Sequence, residues 1–186
     1  MVLRPGLSAA DTALVTPAAA VATARAISRA AGVEVGVKWV NDLYYAGKKL
    51  CGILAEAPLG ADGRPEFVVI GIGVNVLDAS FPPALSGVAT SLESAGARGT
   101  DRAALAAAII TEMLALCGEL GERTFLEEYR ARSCVLDRPV MLVRGEERRE
   151  AYAVGIDDEA RLLVRLSGGK METIGAGEIS LRGDFA

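Results

Sequence analysis

Histidine is absent from all 186 residues. That excludes a Ser–His–Asp triad, a Cys–His nucleophile pair and every histidine-ligated metal site. Only three cysteines occur, Cys51, Cys117 and Cys134. Their number is odd and their spacing wide, which argues against a disulfide framework, and no CxxC pair suggests zinc. No stretch approaches the ~20 consecutive apolar residues that a membrane-spanning helix needs. No secretory signal opens the chain, because Met1-Val2-Leu3-Arg4 runs at once into the turn-forming Pro5-Gly6. There is no run of Lys and Arg, and with a net charge of −4 and a pI near 5.0 the chain is a poor nucleic-acid binder. The expectation is a cytoplasmic protein with no membrane and no nucleic-acid partner, and with no metal held by its own side chains.

The residues that are present are those of a globular chain, 51% hydrophobic and 24% charged. Residues 1–4 read as the end of a strand whose beginning is missing. Thr16-Pro17 signals a helix start and Gly32 a stop, so a helix is expected to about Ala31. Val35 to Trp39 reads as a strand. Leu43 to Ala46 and Lys49 to Ala57 flank Ala46-Gly47 as a hairpin. Glu66 to Val74 reads as a buried strand, and 77–100 as irregular. A second helix, capped by Thr100, is expected over about 101–120 and a third over about 123–132. From Asp137 the pattern changes to short strands separated by turns, which fits a five-stranded barrel of about fifty residues. The fold class is therefore α+β, with a mixed or antiparallel sheet and helices in 1–136 and a small β domain in 137–186.

Chemistry concentrates in Lys38-Trp39-Val40-Asn41-Asp42-Leu43 and Lys48-Lys49-Leu50-Cys51-Gly52-Ile53-Leu54. A strand ends in Lys, Trp, Asn and Asp, and a tight hairpin returns two lysines beside it. Charges of both signs and an amide converging at one sheet edge are what an anionic-ligand site requires. Cys51, inside a strand, reads as a small buried hydrophobe rather than a nucleophile.

KWxNDL followed by KxxGIL at this spacing resembles biotin protein ligases. Gly71-Ile72-Gly73-Val74-Asn75 is similar to that family's GIGxN strand, Asp137-Arg138-Pro139-Val140 to the entry of its C-terminal domain, and Gly175 to Arg182 to its last strand. The matches run in order over essentially the whole chain. The resemblance implies a class II synthetase-like core with an SH3-like C-terminal barrel. It also implies a two-step reaction: biotin attacks the α-phosphate of Mg2+-ATP to give biotinyl-5′-AMP, which then acylates a lysine of a biotin carboxyl carrier protein. Such chemistry needs no histidine, because the substrates supply the nucleophiles and the protein positions them and offsets charge.

Under this resemblance Lys49 is the lysine that offsets repulsion between carboxylate and phosphate, an effect of roughly 3–4 kcal/mol in a dry site. Asp42 receives the incoming lysine ammonium, with an Asx cap as the alternative. Lys38, Asn41, Gly52, Ile53 and Asn75 are the biotin and adenylate contacts. For Gly52 a bulge is the rival, for Lys38 a salt bridge to Asp42, and Lys48 reads as solvated. Thr90-Ser91 are candidates for the adenine border, and Glu178 and Arg182 are exposed candidates in the C-terminal barrel.

Two features of the family are missing from these residues. They are the glycine- and arginine-rich loop that holds carboxylate and phosphates, and the Ser-Thr segment before it. Lys49 alone supplies only part of the charge, so weak binding of biotinyl-AMP is expected, and Met1 is expected to be a misplaced or truncated start. No helix-turn-helix precedes the core. The competing readings are a non-catalytic paralogue acting as a binding or dimerisation module, and a lipoate-transferring relative. A homodimer through the sheet edge is a further expectation.

Overall fold

The computed structural model describes residues 1–4, 8–58, 60–61, 64–78, 81–175 and 178–181. The Pro5-Gly6 turn and Arg182 lie outside them, as do the side chains of Glu178 to Leu181. Two five-stranded antiparallel sheets organise the chain. The first is ordered β1 (Val2–Leu3), β5 (Val68–Val74), β4 (Lys48–Glu56), β3 (Asp42–Tyr45), β2 (Gly36–Lys38). The second is ordered β10 (Glu178–Leu181), β6 (Arg138–Arg144), β7 (Glu147–Ile156), β8 (Leu162–Leu166), β9 (Met171–Ile174). Its outer strands β9 and β10 do not pair with each other among the described residues, so the expected barrel is an open sheet there.

Ser8 caps a short helix, α1 (Ala9–Ala13), that the sequence pattern did not reveal. The long helix α2 (Val15–Ala31) begins one residue before the Thr16-Pro17 signal, after Leu14. Proline is still tolerated because the first-turn amides have no partner within the helix. Gly32 ends α2 in the left-handed region at φ 65°, as expected. Helix α3 (Arg102–Gly118) is capped by Asp101, whose carboxylate accepts from the amides of Ala103 and Ala104. Thr100 instead donates its hydroxyl to the Ala97 carbonyl. A 3-10 turn at Leu120–Glu122 leads to α4 (Phe125–Ala131), shorter than the pattern suggested.

The core is layered. Helix α2 packs on β3 and β4 with one side and on α3 and α4 with the other. It is buried almost all round, from Val15 to Ile27, and its alanines let neighbouring elements approach closely. Its two arginines reach out of this sandwich: Arg25 pairs with Glu112 and Glu128, and Arg29 with Glu112. Inward positions of the sheet, such as Leu43, Ile53, Val68 and Ile70, are at most 2% exposed. The opposite face of the sheet carries glycines.

The second sheet is tied to the first part of the chain by polar contacts from three side chains, Trp39, Arg130 and Arg123. The Trp39 indole donates to the Ala160 carbonyl at 2.8 Å. Arg130 on α4 donates to the Ile156 carbonyl and pairs with Asp158. Arg123 pairs with Glu159. Among the described residues no helix is long and apolar enough to cross a membrane.

Candidate functional site

The hairpin β3–β4 turns at Ala46 and Gly47, both with positive φ (45° and 74°), the conformation of tight two-residue hairpins. Pairing is regular at the tip, where Tyr45 faces Lys48 and Tyr44 faces Lys49. The register then shifts: Leu43 faces Cys51, leaving Leu50 as an extra residue. Such a bulge re-aims the side chains on either side of it. Here Leu50 and Cys51 both turn into the core, while Lys49 shares the open face with Gly52.

Across three strands on that face, Asp42, Gly52 and Gly73 lie directly opposite one another. The two glycines form a bare backbone floor beside the carboxylate. Lys49 Nζ lies 2.6 Å from Asp42 Oδ1, an ion pair with the carboxylate side 16% exposed and the amine side 45% exposed. A Cβ at Gly52 would stand 3.2 Å from Lys49 Cε, 3.3 Å from its Nζ and 3.6 Å from Asp42 Oδ1. A side chain at this position would therefore make the lysine end of the pair give way by a few tenths of an ångström.

The Lys49 backbone amide and carbonyl face away from β3. Residues 88–90 take them: Lys49 N donates to Val88 O, and Thr90 N to Lys49 O. This parallel bridge brings the Phe81–Ala89 segment over the floor. The segment is a series of tight turns, with Leu85 N donating to Pro82 O and Val88 N to Leu85 O. It presents Leu85 and Val88 to solvent, 45% and 55% exposed. Floor, ion pair and overhang enclose a trough of about 530 Å³, within the size range of small-molecule sites. Tyr44, Lys49, Gly52, Asn75 and Phe81 are among its lining residues.

The expected site residues divide into two groups. Lys49 and Asp42 meet, and Lys49, Gly52 and Asn75 line the trough. Asn75 also pins the overhang, since its amide donates to the Thr90 carbonyl at 3.0 Å. Lys38, Asn41 and Ile53 are not among the lining residues. Asn41 Nδ2 donates to Ile53 O at 2.7 Å, and Ile53 N donates to Asn41 O, so the two clamp each other and carry the β3–β4 ladder past its end. The Ile53 side chain is in the core, 2% exposed. Lys38 Nζ sits 3.5 Å from the Tyr44 hydroxyl and above that ring, while Asp42 is taken by Lys49 rather than by Lys38. Ser91 is fully buried and donates to Asp78, as does Ser94. Those two hydroxyls hold the Asp78 carboxyl below its ordinary range and tie the end of the overhang.

Cys51 lines the trough, but burial, with the Asp42 charge adding to it, pushes its thiol up to about 12. It is a packing residue and not a nucleophile. Phe81, Leu85, Val88 and Ala89 had no role in the sequence reading. The one signal for them was apolar residues in a proline-rich loop, exposed where a loop is ordinarily polar. No group of three or more His, Cys, Asp or Glu able to hold a metal occurs among the described residues.

Trp39 and Val40 are held from two sides. Trp39 is 4% exposed and bonded to Ala160, and the Tyr129 hydroxyl donates to the Val40 carbonyl at 2.9 Å. The approach to Asp42 is thus fixed jointly by α4 and by the 157–161 turn of the second sheet.

Comparison with known proteins finds relatives of the chain in sequence and in fold. Residues 2–75 match the model of the biotin/lipoate A/B protein ligase family, and residues 135–182 that of the biotin protein ligase C-terminal domain. The chain is 35% identical over 179 residues to the bifunctional ligase/repressor BirA of Bacillus spizizenii, covering 91% of this chain and 53% of that protein. It is 38% identical over 154 residues to the Escherichia coli BirA, covering 80% and 47%. It is 34% identical over 149 residues to the biotin–[acetyl-CoA-carboxylase] ligase of Mycobacterium tuberculosis, covering 78% and 53%. The chain spans about half the length of these relatives. In fold it is similar to the apo biotin protein ligase of Aquifex aeolicus, with a TM-score of 0.83 at 22% identity over 98% of this chain and 80% of that one. The same enzyme in complex with biotin and ATP gives a TM-score of 0.80 at 24% identity, over 98% and 76%. Motifs, fold and relatives agree: the chain belongs to the biotin protein ligase family.

Proposed function

We propose that residues 1–136 carry the Lys49–Asp42 part of a biotin-adenylating site and that 137–186 form an SH3-like domain braced against it, in a cytoplasmic biotin–[acetyl-CoA-carboxylase] ligase. The observation that carries this is the ion pair at 2.6 Å beside the bare Gly52–Gly73 floor of an open trough. In the first step a carboxylate oxygen of biotin bonds to the α-phosphorus of ATP and pyrophosphate leaves. Both reactants are anionic, and the Lys49 ammonium offsets their repulsion. In the second step the amine of a carrier-protein lysine bonds to the acyl carbon and AMP leaves with its electron pair. Asp42 orients that amine and takes up its proton, with Lys49 then free to stabilise the departing phosphate.

A bare backbone floor suits a flat ring system lying against a sheet. The apolar overhang of Phe81, Leu85 and Val88 suits the face of a nucleobase. Lys38, Asn41 and Ile53 act here by shaping β2–β4, and Asn75 by holding the overhang where a nucleotide would pass. Mg2+ arrives with ATP as part of the substrate, since magnesium is commonly held by substrate phosphates with few protein ligands. The acceptor is a biotin carboxyl carrier protein.

The test is calorimetric titration of the chain with biotinyl-AMP, alongside incubation with biotin, Mg2+-ATP and an apo carrier domain. Weak saturable binding is expected, reduced at least about tenfold in Lys49→Ala and in Gly52→Val, which would fill the trough. Gly71→Ala, whose Cβ would meet nothing closer than Leu54 O at 3.8 Å, is the control and is expected to bind as wild type. A chain that neither binds nor turns over, or variants that bind as well as wild type, would favour a binding module over an enzyme.

A further inference from the structure

The turn that delivers Asp42 to the trough runs over Trp39, Val40 and Asn41, between the paired residues Lys38 and Asp42. Turns between strands are ordinarily the mobile part of a sheet. Here each turn residue is anchored by a different element. The Trp39 indole donates to Ala160 O in the 157–161 turn. Val40 O accepts from the Tyr129 hydroxyl of α4. Asn41 donates its side-chain amide to Ile53 O on β4 and accepts from Ile53 N at its own carbonyl. Two of these anchors do structural work besides. The Trp39 side chain fills the core, and the Asn41–Ile53 bonds extend the β3–β4 ladder. The Tyr129 hydroxyl is different, because a phenylalanine ring would pack in the same place. Tyr129 is fully buried, and a buried hydroxyl costs free energy unless it is hydrogen-bonded. Burial, with Cys134 adding to it, pushes its ionisation well above the ordinary tyrosine range, so it stays a neutral donor. The bond it makes reaches a carbonyl two residues before Asp42.

We propose that Tyr129 is a positioning residue for the transfer step: through the Val40 carbonyl it fixes this turn, and with it the aim of the Asp42 carboxylate. The inference rests on the role given to Asp42 above. In that step the acceptor amine bonds to the acyl carbon of biotinyl-AMP, AMP leaves with the electron pair, and the proton of the amine passes to Asp42. A base must lie within hydrogen-bond reach of the proton it takes. A misplacement of ~1 Å can cost on the order of a hundredfold in rate. Lys49 and Asn75 are held from the other side of the site. The Lys49 backbone is bonded to Val88 and Thr90, and the Asn75 amide to Thr90. Removing the Tyr129 hydroxyl therefore separates two properties of the site, since the ligand is still held but its proton acceptor is no longer aimed.

Tyr129→Phe in the 186-residue chain tests this, with Leu105→Ala for comparison. Leu105 is a core residue of α3, a helix that packs on α2 and carries none of the anchors. Each protein receives preformed biotinyl-AMP and an apo carrier domain, so transfer is read without adenylation. Tyr129→Phe is expected to lower kcat for transfer about tenfold. The dissociation constant of biotinyl-AMP and the KM for the carrier are expected to stay within about twofold of wild type. Amide hydrogen exchange over residues 39–42 is expected to quicken about tenfold as the turn loosens. Leu105→Ala, assayed well below its Tm, is expected to lower Tm and leave kcat as in wild type. A Tyr129→Phe protein that transfers as wild type does, or whose exchange over 39–42 is unchanged, overturns the proposal. So does a loss of kcat that Leu105→Ala shares, because the loss then follows stability. A wild-type chain that does not accelerate transfer overturns the role of Asp42 itself, a result distinct from an active wild type matched by Tyr129→Phe.

Discussion

Replacing Trp39 by Phe tests whether the second sheet braces the site. The substitution keeps an aromatic ring in the pocket and removes the indole N–H that donates to Ala160 O at 2.8 Å. Trp39 is 4% exposed, so water cannot readily take over the bond, and the Ala160 carbonyl is left unsatisfied. An unmade buried hydrogen bond costs about 1–3 kcal/mol. The apolar area lost with the second ring adds about 1 kcal/mol. The expected loss is therefore roughly 2–4 kcal/mol, which for a chain of this size lowers Tm by roughly 5–15 °C. Calorimetry and far-UV circular dichroism read the change. Ala160 holds a left-handed φ of 59°, unusual for a residue with a Cβ. Ala160→Gly keeps the carbonyl and relieves that conformation, so it is expected to be neutral or stabilising. A Trp39→Phe protein within about 0.5 kcal/mol of wild type would refute the bracing role. An Ala160→Gly protein as destabilised as Trp39→Phe would assign the effect to the turn and not to the bond.

Three further outcomes follow from the geometry. Ala46→Asn, at the first positive-φ position of the hairpin, should raise stability by about 0.5–1 kcal/mol in urea unfolding, because Asn tolerates that conformation better than Ala. Burial alone would raise the Glu128 carboxyl, but hydrogen bonds from Arg25 and Arg132 outweigh it and hold the group below its ordinary value. A carboxyl that ionises more readily in the folded state stabilises the fold above the unfolded value of about 4.3 and loses that contribution as pH falls through the lower folded value. Glu128→Gln should therefore be less stable than wild type at neutral pH, with the difference shrinking in acid; a gap that widens in acid would contradict this. Thiol labelling at mildly alkaline pH should reach Cys117 well before Cys51, since Cys51 is 1% exposed with its thiol pushed up to about 12.

Local rules marked most of the elements. Gly32 ends α2 because only the left-handed conformation closes that helix end, and Ala46-Gly47 places the hairpin because two positive-φ residues match the twist of paired strands. The lysine and aspartate were readable as partners because a tight hairpin returns one strand onto the other. Where two local signals competed, the sequence was less decisive. Thr100 and Asp101 are both good caps, and which carboxylate or hydroxyl meets the first free amides depends on where the preceding turn delivers the chain.

What the sequence by itself determined is the chemistry available, with no histidine and with Lys49 and Asp42 brought close by adjacent strands, together with the family that pattern belongs to. What only the tertiary structure decided is the aim of those side chains. Strict alternation would have put Lys49 on the face opposite Gly52, and the extra residue at Leu50 reverses it. The bulge lets Leu50 and Cys51 both be buried, and residues 88–90, distant in the chain, bond to the Lys49 backbone on the side away from β3. A hydrogen bond to a segment some forty residues away has no local trace in the sequence, and neither has the register shift that puts an amine beside a carboxylate over a floor of bare backbone.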